Sequence, residues 1–193
     1  LSVGYFKTRR RSGGTMRIIS GQFKGRILLT PPEGTRPTAD RAKEMLFDIL
    51  SARLMQAQKQ WSRLRFADVF AGSGAVGLEA YSRGCKHVFL FEKDKQAQRI
   101  IRQNARQMEI TLYGEALVPP VAPKPMDILF MDAPYHLGLW ESALTAFDKK
   151  GWIDDHTWVI VEVDSHENPS LPAPFVLKEK RHQGRNTFLF LTK

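Results

Sequence analysis

From residue 65 onward, short apolar runs alternate with segments whose apolar residues recur at helical spacing. A sheet strand suits each short run, and a helix suits each periodic segment. Strands separated by helices favour a buried parallel sheet, because a parallel connection needs about a dozen residues or more. The pattern predicts strands at 65–71, 87–92, 110–114, 126–132 and 158–163. It predicts one helix that follows the turn after the first strand and ends at about Arg83, a second at 94–108 and a third around 138–148.

The last two apolar runs are too close together for a parallel crossover. "FVLKEKR" and "NTFLFLTK" are separated by a short turn that contains Gly184. They therefore predict an antiparallel pair at the end of the chain.

The first third of the chain has a different pattern. "RIISGQFKGRILLT" (Arg17–Thr30) contains two short β-type runs around Gly21 and Gly25, which predict a hairpin. A helix is then expected to open at Thr38 or Asp40. Its apolar face consists of Ala42, Met45, Leu46, Ile49 and Leu50.

Three regions follow from these patterns. The acid-free, basic residues 1–15 are expected to be a mobile tail, 16–37 a β-hairpin extension, and 38–193 the main domain. The 193 residues and a hydrophobic content of 42% suit one domain with a real core. The single cysteine, Cys85, and the absence of an 18-residue apolar run favour a reducing, cytoplasmic setting.

Charge is distributed unevenly along the chain. Residues 1–65 hold 14 Lys or Arg and 4 Asp or Glu, whereas residues 66–193 hold 15 and 16. The formal excess of +9 therefore originates in the first third. Such asymmetry indicates a surface that meets a polyanion, most often nucleic acid, although a solvated basic face is the plainer interpretation.

A glycine-rich turn follows the first predicted strand. In "DVFAGSGAVGLEA" (Asp68–Ala80), Gly72, Gly74 and Gly77 have the spacing of a dinucleotide-binding turn. Glu92, 20 residues after Gly72 at the end of the next strand, can accept hydrogen bonds from both ribose hydroxyls. Because every adenosine cofactor carries that ribose, the pattern fits either NAD or S-adenosylmethionine. A turn that merely packs helix on sheet is the structural alternative.

Asp68 lies within the first predicted strand, where an ionised group is costly unless it is bonded. The ammonium of a methionine moiety is one partner that it can meet, which favours S-adenosylmethionine. A structural aspartate bonded to the N–H groups of the turn is the alternative.

The tetrapeptide Asp132–Tyr135 (D-A-P-Y) ends the fourth predicted strand and is expected to face the same crevice as the glycine turn. The Asp132 carboxylate and the Ala133 carbonyl are two acceptors for the hydrogens of an exocyclic amino group on a base. Pro134 biases Ala133 toward an extended backbone, and Tyr135 offers a ring for stacking. An ordinary Asp-x-Pro turn is the structural alternative.

Three segments together resemble one protein family. "MRIISGQFKGRIL", "TRPTADRAKEMLFDIL" and "DVFAGSGAVGLEA" are similar to the bacterial 16S ribosomal RNA guanine-N2 methyltransferase family, often called RsmD. That family belongs to the class I S-adenosylmethionine-dependent methyltransferases. The resemblance implies an α/β fold, with a Rossmann-like, seven-stranded, mostly parallel sheet, an antiparallel C-terminal strand and a small N-terminal β-hairpin extension.

The resemblance also implies roles for individual residues. Asp132, Ala133, Pro134 and Tyr135 are expected to grip the target guanine, and Glu92 to hold the ribose. Asp68 and the loop Phe70, Ala71, Gly72, Ser73 and Gly74 are expected to cradle the methionine portion of the cofactor.

The basic N-terminal third is expected to hold 16S ribosomal RNA, or the assembling small ribosomal subunit, through its phosphates. For Arg41, an ion pair with Asp40 or Glu44 is the alternative. The expected RNA-binding residues are Arg36, Thr38 and Arg41 in the family's segment and Arg17, Lys24 and Arg26 in the hairpin.

Two positions depart from the family's pattern. Ala133 stands where the tetrapeptide usually has proline, and Glu115 stands where the family commonly has Asp or Asn near the adenine. Glu115 is the expected adenine-side residue here. No metal is expected, since the five histidines show no ligand spacing.

Four other functions share some of these features. An adenine-N6 methyltransferase acting on DNA or RNA uses the same tetrapeptide, and a glutamine methyltransferase usually has Asn where this chain has Asp132. A dehydrogenase shares the glycine turn and the acid at Glu92, but nothing else in the sequence indicates nicotinamide chemistry. A non-catalytic RNA-binding or assembly protein that retains the fold comes from a different class.

Overall fold

The computed structural model describes residues 16–30, 37–134, 137–167 and 169–193, without the side chains of residues 37–40. The expected mobile tail, Arg36, Tyr135 and His136 therefore lie outside the described residues, as does the side chain of Thr38.

Four α-helices, one 3-10 helix and seven strands are present in the described part of the chain. No helix there is long and apolar enough to cross a bilayer. The elements are α1 (Pro37–Gln56), a 3-10 turn (Trp61–Arg63), β1 (Arg65–Val69), α2 (Ala75–Ser82), β2 (His87–Phe91), α3 (Lys95–Asn104), β3 (Ile110–Tyr113), β4 (Ile128–Met131), α4 (Leu139–Lys149), β5 (Trp158–Asp164), β6 (Val176–Gln183) and β7 (Asn186–Thr192).

All seven strands form one sheet in the order β3-β2-β1-β4-β5-β7-β6. Strands β1 to β5 pair in parallel, β7 runs antiparallel to β5, and β6 runs antiparallel to β7. The predicted fold class and the antiparallel terminal pair are therefore confirmed. The strand order reverses beside β1, where β2 and β4 flank it, and ligands of open α/β sheets bind outside such a reversal.

The sheet is covered on both faces, which is why its central strands are largely apolar. On one face α4 packs through Ala143, Leu144 and Phe147. On the other face α1 packs through Leu46, Phe47 and Leu50 against strand residues such as Phe66, Phe130 and Phe188.

Helix α1 begins at Pro37, slightly earlier than predicted, and a proline is favoured in the first turn of a helix. Of the predicted apolar face, Ala42, Leu46 and Leu50 are buried, whereas Met45 and Ile49 are only partly buried. Phe47 is fully buried and was not predicted.

Four predicted strands end one or two residues too late, and the ends of β1 and β4 affect the candidate site. Strand β1 stops at Val69, because Phe70 adopts a positive φ of 66° that no strand accommodates. Strand β4 stops at Met131, so Asp132 stands just beyond the strand. Both corrections bring the candidate residues into loops at the same edge of the sheet.

The segment 16–30 folds back on itself as a short antiparallel hairpin and docks on α2 and the end of α3. Its one bridge in the described residues pairs Arg17 with Ile27. The Glu79 carboxylate accepts from the N–H groups of Ile19 at 2.7 Å and Ser20 at 3.0 Å. Ile18 and Leu28 pack in a small apolar cluster with Leu78 of α2.

We predict that Gly21→Ala detaches this segment from α2. Gly21 has a φ of +85°, and an added Cβ would lie 1.8 Å from the Ser82 carbonyl oxygen. Hydrogen exchange at the amides of Ile19 and Ser20 should then be at least about 10-fold faster than in the control variant described next, an equilibrium difference of roughly 1.4 kcal/mol.

Gly25→Ala is the matched control, because Gly25 has a φ of +84° and nothing lies within 4 Å of the point where its Cβ would stand. That variant should show only the cost of the left-handed backbone, about 1–2 kcal/mol, with the segment still docked. Equal protection of the Ile19 and Ser20 amides in both variants would contradict the docking described here.

Candidate active site

The glycine turn connects β1 to α2 with two left-handed glycines. Gly72 has a φ of +56° with open space where a Cβ would stand, and Gly74, with a φ of +79°, occupies the N-cap of α2. At Gly77 an added Cβ would lie 2.2 Å from Leu90 Cδ2. The first two glycines therefore shape the loop, and the third allows α2 to approach β2 closely.

Glu92 follows β2 and reaches across to this loop. Its Oε2 accepts from the Gly72 N–H at 2.8 Å, and its Oε1 accepts from the Asp94 N–H at 2.8 Å. The carboxylate is thus fixed in orientation beside the turn, with further lone pairs available on both oxygens. Its predicted contact with a ribose stays a prediction.

Asp68 is 2% exposed and its Oδ2 accepts from the Gly77 N–H at 2.8 Å. This bond is the one expected of a structural aspartate. Asp68 also lines the cavity described next. The structure therefore fits both a structural aspartate bonded to the turn and an aspartate that can meet a ligand's ammonium.

A cavity of about 250 Å³ opens beside the turn. Because β4 pairs with β1, the Asp132 N–H donates to the Val69 carbonyl at 3.2 Å, and Asp132 lines the same cavity as Gly72. Ala133 is buried directly after it, and Pro134 is exposed. The expected convergence of the strand-end carboxylate and the glycine turn is therefore present.

Six of the predicted residues border this one cavity. Gly74 and Glu92 do not line the cavity. Gly74 caps α2, and Glu92 accepts a hydrogen bond from the turn. Glu115 lies apart from it, exposed after β3, with its Oε1 accepting from the Leu117 N–H at 3.1 Å. The six bordering residues are Asp68, Phe70, Ala71, Gly72, Ser73 and Asp132.

Two charged cavity residues were not predicted from the sequence. Glu162 near the end of β5 lines the cavity, and its Oε1 accepts from the side-chain amide of Asn186. Lys43 of α1 is 4% exposed and donates to the Arg17 carbonyl at 2.6 Å. A single acid in the apolar run "WVIVEV" was the available signal for Glu162.

Three carboxyl groups, those of Asp68, Asp132 and Glu162, therefore face one small space. Burial raises the pKa of Asp68 to about 7, despite the lowering effect of the Gly77 N–H, and the Asp132 and Glu92 charges raise it further. Burial also raises the pKa of Glu162, with added repulsion from Asp132 and Asp68.

Burial raises the pKa of Asp132 as well. Asp132 is nevertheless exposed overall, so water screens this effect. The site as a whole resists accumulating negative charge, which favours a cationic ligand.

The basic residues predicted to bind RNA fall into two groups. Arg17, Lys24 and Arg41 have exposed side chains. The Arg26 guanidinium instead donates to the Arg106 carbonyl at 2.7 Å and to Gln107 Oε1 at 3.0 Å. Arg26 therefore connects the N-terminal segment to the residues that follow α3.

Known proteins are similar to this chain over most of its length. The family model described as "Conserved hypothetical protein 95" matches residues 16–192. "Ribosomal RNA small subunit methyltransferase D" of Escherichia coli K12 is 32% identical over 93% of this chain and 90% of the relative. The protein of the same name from Haemophilus influenzae is 31% identical, over 89% and 90%.

One solved structure shows the same fold. The Escherichia coli protein yhhF, whose name assigns it provisionally to the methyltransferases, superposes with a TM-score of 0.77 at 30% identity. The match covers 93% of this chain and 98% of that one.

The raised pKa of Asp68 predicts that the protein loses stability as the pH rises from 3.8 toward about 7. In that window the folded chain holds a proton that the unfolded chain has released, so the free energy of unfolding falls with increasing pH. Urea unfolding at pH 5 and pH 7 should show a larger loss for the wild type than for Asp68→Asn, by on the order of 2 kcal/mol. Parallel stability curves for the two proteins would show that Asp68 does not titrate in this range.

Proposed function

The chain belongs to the family described as conserved hypothetical protein 95, and from this premise we propose that it transfers a methyl group from S-adenosylmethionine to the exocyclic N2 of a guanine in 16S ribosomal RNA. The names of the relatives support ribosomal RNA as the substrate. The resemblance to the guanine-N2 methyltransferases supports the exocyclic N2 of guanine as the methylated atom. The reducing cytoplasmic setting belongs to the same proposal.

One observation carries this function: Asp132 and the glycine turn border the same cavity. The parallel pairing of β1 with β4 brings the two strand ends side by side, with Met131 opposite Val69. A methyl donor on the turn and an amino group on Asp132 would therefore be neighbours, as a direct transfer requires.

The residues fit S-adenosylmethionine in shape and charge. The open side of Gly72 leaves room for a ligand against the backbone, and Glu92 presents a carboxylate to ribose hydroxyls. The three carboxyl groups of the cavity suit a ligand that carries both an ammonium and a sulfonium. When bound, S-adenosylmethionine supplies an electrophilic methyl group, and the electrons of the broken C–S bond stay on sulfur.

Asp132 and Ala133 act on the amino group. In guanine the N2 lone pair is delocalised into the ring, so this nitrogen is a weak nucleophile. If the Asp132 carboxylate and the Ala133 carbonyl each accept one N2 hydrogen, the nitrogen can become pyramidal and direct its lone pair at the methyl carbon. The proton that N2 loses on methylation would pass to Asp132 or to water.

A base stacked inside an RNA helix has to be extruded to reach this cavity, at a cost of roughly a few kcal/mol. Phosphate contacts from the exposed Arg17, Lys24 and Arg41 would hold the RNA while this happens. Arg36 and Thr38 belong to the same proposed surface by their place in the sequence.

Methyl transfer to small ribosomal subunits from cells that lack this gene tests the proposal. With tritiated S-adenosylmethionine, wild-type protein should label the 16S RNA. Asp132→Ala should lower the rate by about 100-fold or more, because a positioned acceptor for the amino group is lost. Asp132→Asn keeps one acceptor oxygen and should lose less.

The control measurement is the affinity for S-adenosylhomocysteine by calorimetry, which should change less than about 3-fold in either Asp132 variant. Asp155→Ala, an exposed acid before β5 at the opposite edge of the sheet, should behave like the wild type. Near-normal turnover in Asp132→Ala with the cofactor product still bound would refute the mechanism.

Salt dependence tests the proposed RNA surface. Each lost phosphate contact should reduce the slope of log K against log[salt] by about 0.7–0.9. Arg17→Ala combined with Lys24→Ala should therefore weaken RNA binding and make the slope shallower by roughly 1.4–1.8. Lys149→Ala, exposed at the end of α4 on the other face, is the control, and an equal effect there would show non-specific attraction.

A further inference from the structure

Asn104, the last residue of α3, bonds to two parts of the chain that are far apart in sequence. Its Oδ1 accepts from the Leu29 N–H at 2.8 Å. Its Nδ2 donates to the Leu29 carbonyl at 2.9 Å and to the Ser73 carbonyl at 3.0 Å. At 4% exposure the amide has little access to water, so these three bonds satisfy it almost entirely.

The orientation of this amide is fixed by its partners. A flipped Asn104 would place its NH2 group against the Leu29 N–H and its oxygen against two carbonyl oxygens, which are unfavourable contacts. The bonds therefore hold only while Leu29 and Ser73 keep their positions relative to α3.

Both bonded segments form the wall of the candidate active site. Ser73 lines the cavity, and so does Thr30, which directly follows Leu29. Met16, at the other end of the N-terminal segment, lines it too and is tied back by its carbonyl, which accepts from the Leu28 N–H at 2.9 Å.

The outer side of the same segment faces solvent. Arg17 and Lys24 are exposed, and so are the apolar side chains of Ile27 and Leu29. A polyanion that contacts these residues therefore contacts the segment that contains Leu29. The bonds of Asn104 connect Leu29 to Ser73 of the glycine turn.

We propose that Asn104 is a positioning residue that couples the two ligands of this site: RNA bound to segment 16–30 strengthens cofactor binding at the glycine turn, and the cofactor strengthens RNA binding equally. The inference rests on the proposed function for the identity of the ligands. The reciprocity follows from thermodynamic linkage, since each ligand favours the same arrangement of Leu29, Asn104 and Ser73.

A purely structural role for Asn104 predicts a different result. If the amide only stabilises the fold, its loss lowers stability and weakens both ligands independently. The ratio of cofactor affinities with and without RNA would then stay at the wild-type value. This ratio is therefore the informative quantity.

The experiment measures the affinity for S-adenosylhomocysteine, which avoids turnover, with and without saturating small ribosomal subunits from cells that lack this gene. In the wild type the subunits should raise the affinity at least about 5-fold, the lower end of typical coupling. Asn104→Ala should reduce this factor to less than about 2-fold.

Two further variants keep the test decisive. Asn104→Asp is nearly isosteric and keeps the acceptor for the Leu29 N–H, but it replaces the donor to Ser73 with an oxygen, so coupling should also be lost. Ser82→Ala removes two other bonds of the segment, to the Phe23 N–H and the Ser20 carbonyl, without touching Ser73. It should keep most of the coupling.

Each outcome decides between explanations. A wild-type factor near 1, an unchanged factor in both Asn104 variants, or an equal loss in Ser82→Ala would overturn the role of Asn104. Protein that labels 16S RNA but shows no coupling would refute this inference alone. Protein that binds neither S-adenosylhomocysteine nor subunits would refute the proposed function itself.

Discussion

The pairing of β1 with β4 is the constraint on which the candidate site depends. Parallel strands end at the same edge of a sheet, and the bond from the Asp132 N–H to the Val69 carbonyl places one strand's exit loop directly beside the other's. The glycine turn and Asp132 meet for this reason, although more than fifty residues separate them. A different strand order would leave the same residues on the surface without a shared cavity.

Holding three carboxyl groups around one cavity has an electrostatic cost that the fold offsets only in part. The Gly77 N–H supports Asp68, and the Asn186 amide supports Glu162. The remaining repulsion is consistent with a site whose ligand brings positive charge. The N-terminal segment lines the cavity through Met16 and Thr30 and is held on α2 and α3 by polar bonds from Glu79, Ser82 and Asn104. The cavity wall and the basic surface are therefore parts of one segment.

Most of the fold and half of the site could be predicted from the sequence because they rest on local rules. Apolar runs, turn glycines and strand-end acids are visible in the chain, and the sheet brings strand ends together wherever they lie in sequence. The roles of Glu79 and Asn104 could not be predicted, since each depends on how segment 16–30 docks. The end of β1 was misplaced by two residues because Phe70 adopts a backbone conformation that its residue type does not signal.

Nucleoside mass spectrometry of 16S ribosomal RNA tests the central claim most directly. RNA from cells lacking this gene should contain one N2-methylguanosine fewer than RNA from the parent, and a plasmid copy of the gene should restore it. Unchanged N2-methylguanosine, or the loss of N6-methyladenosine in its place, would contradict the account.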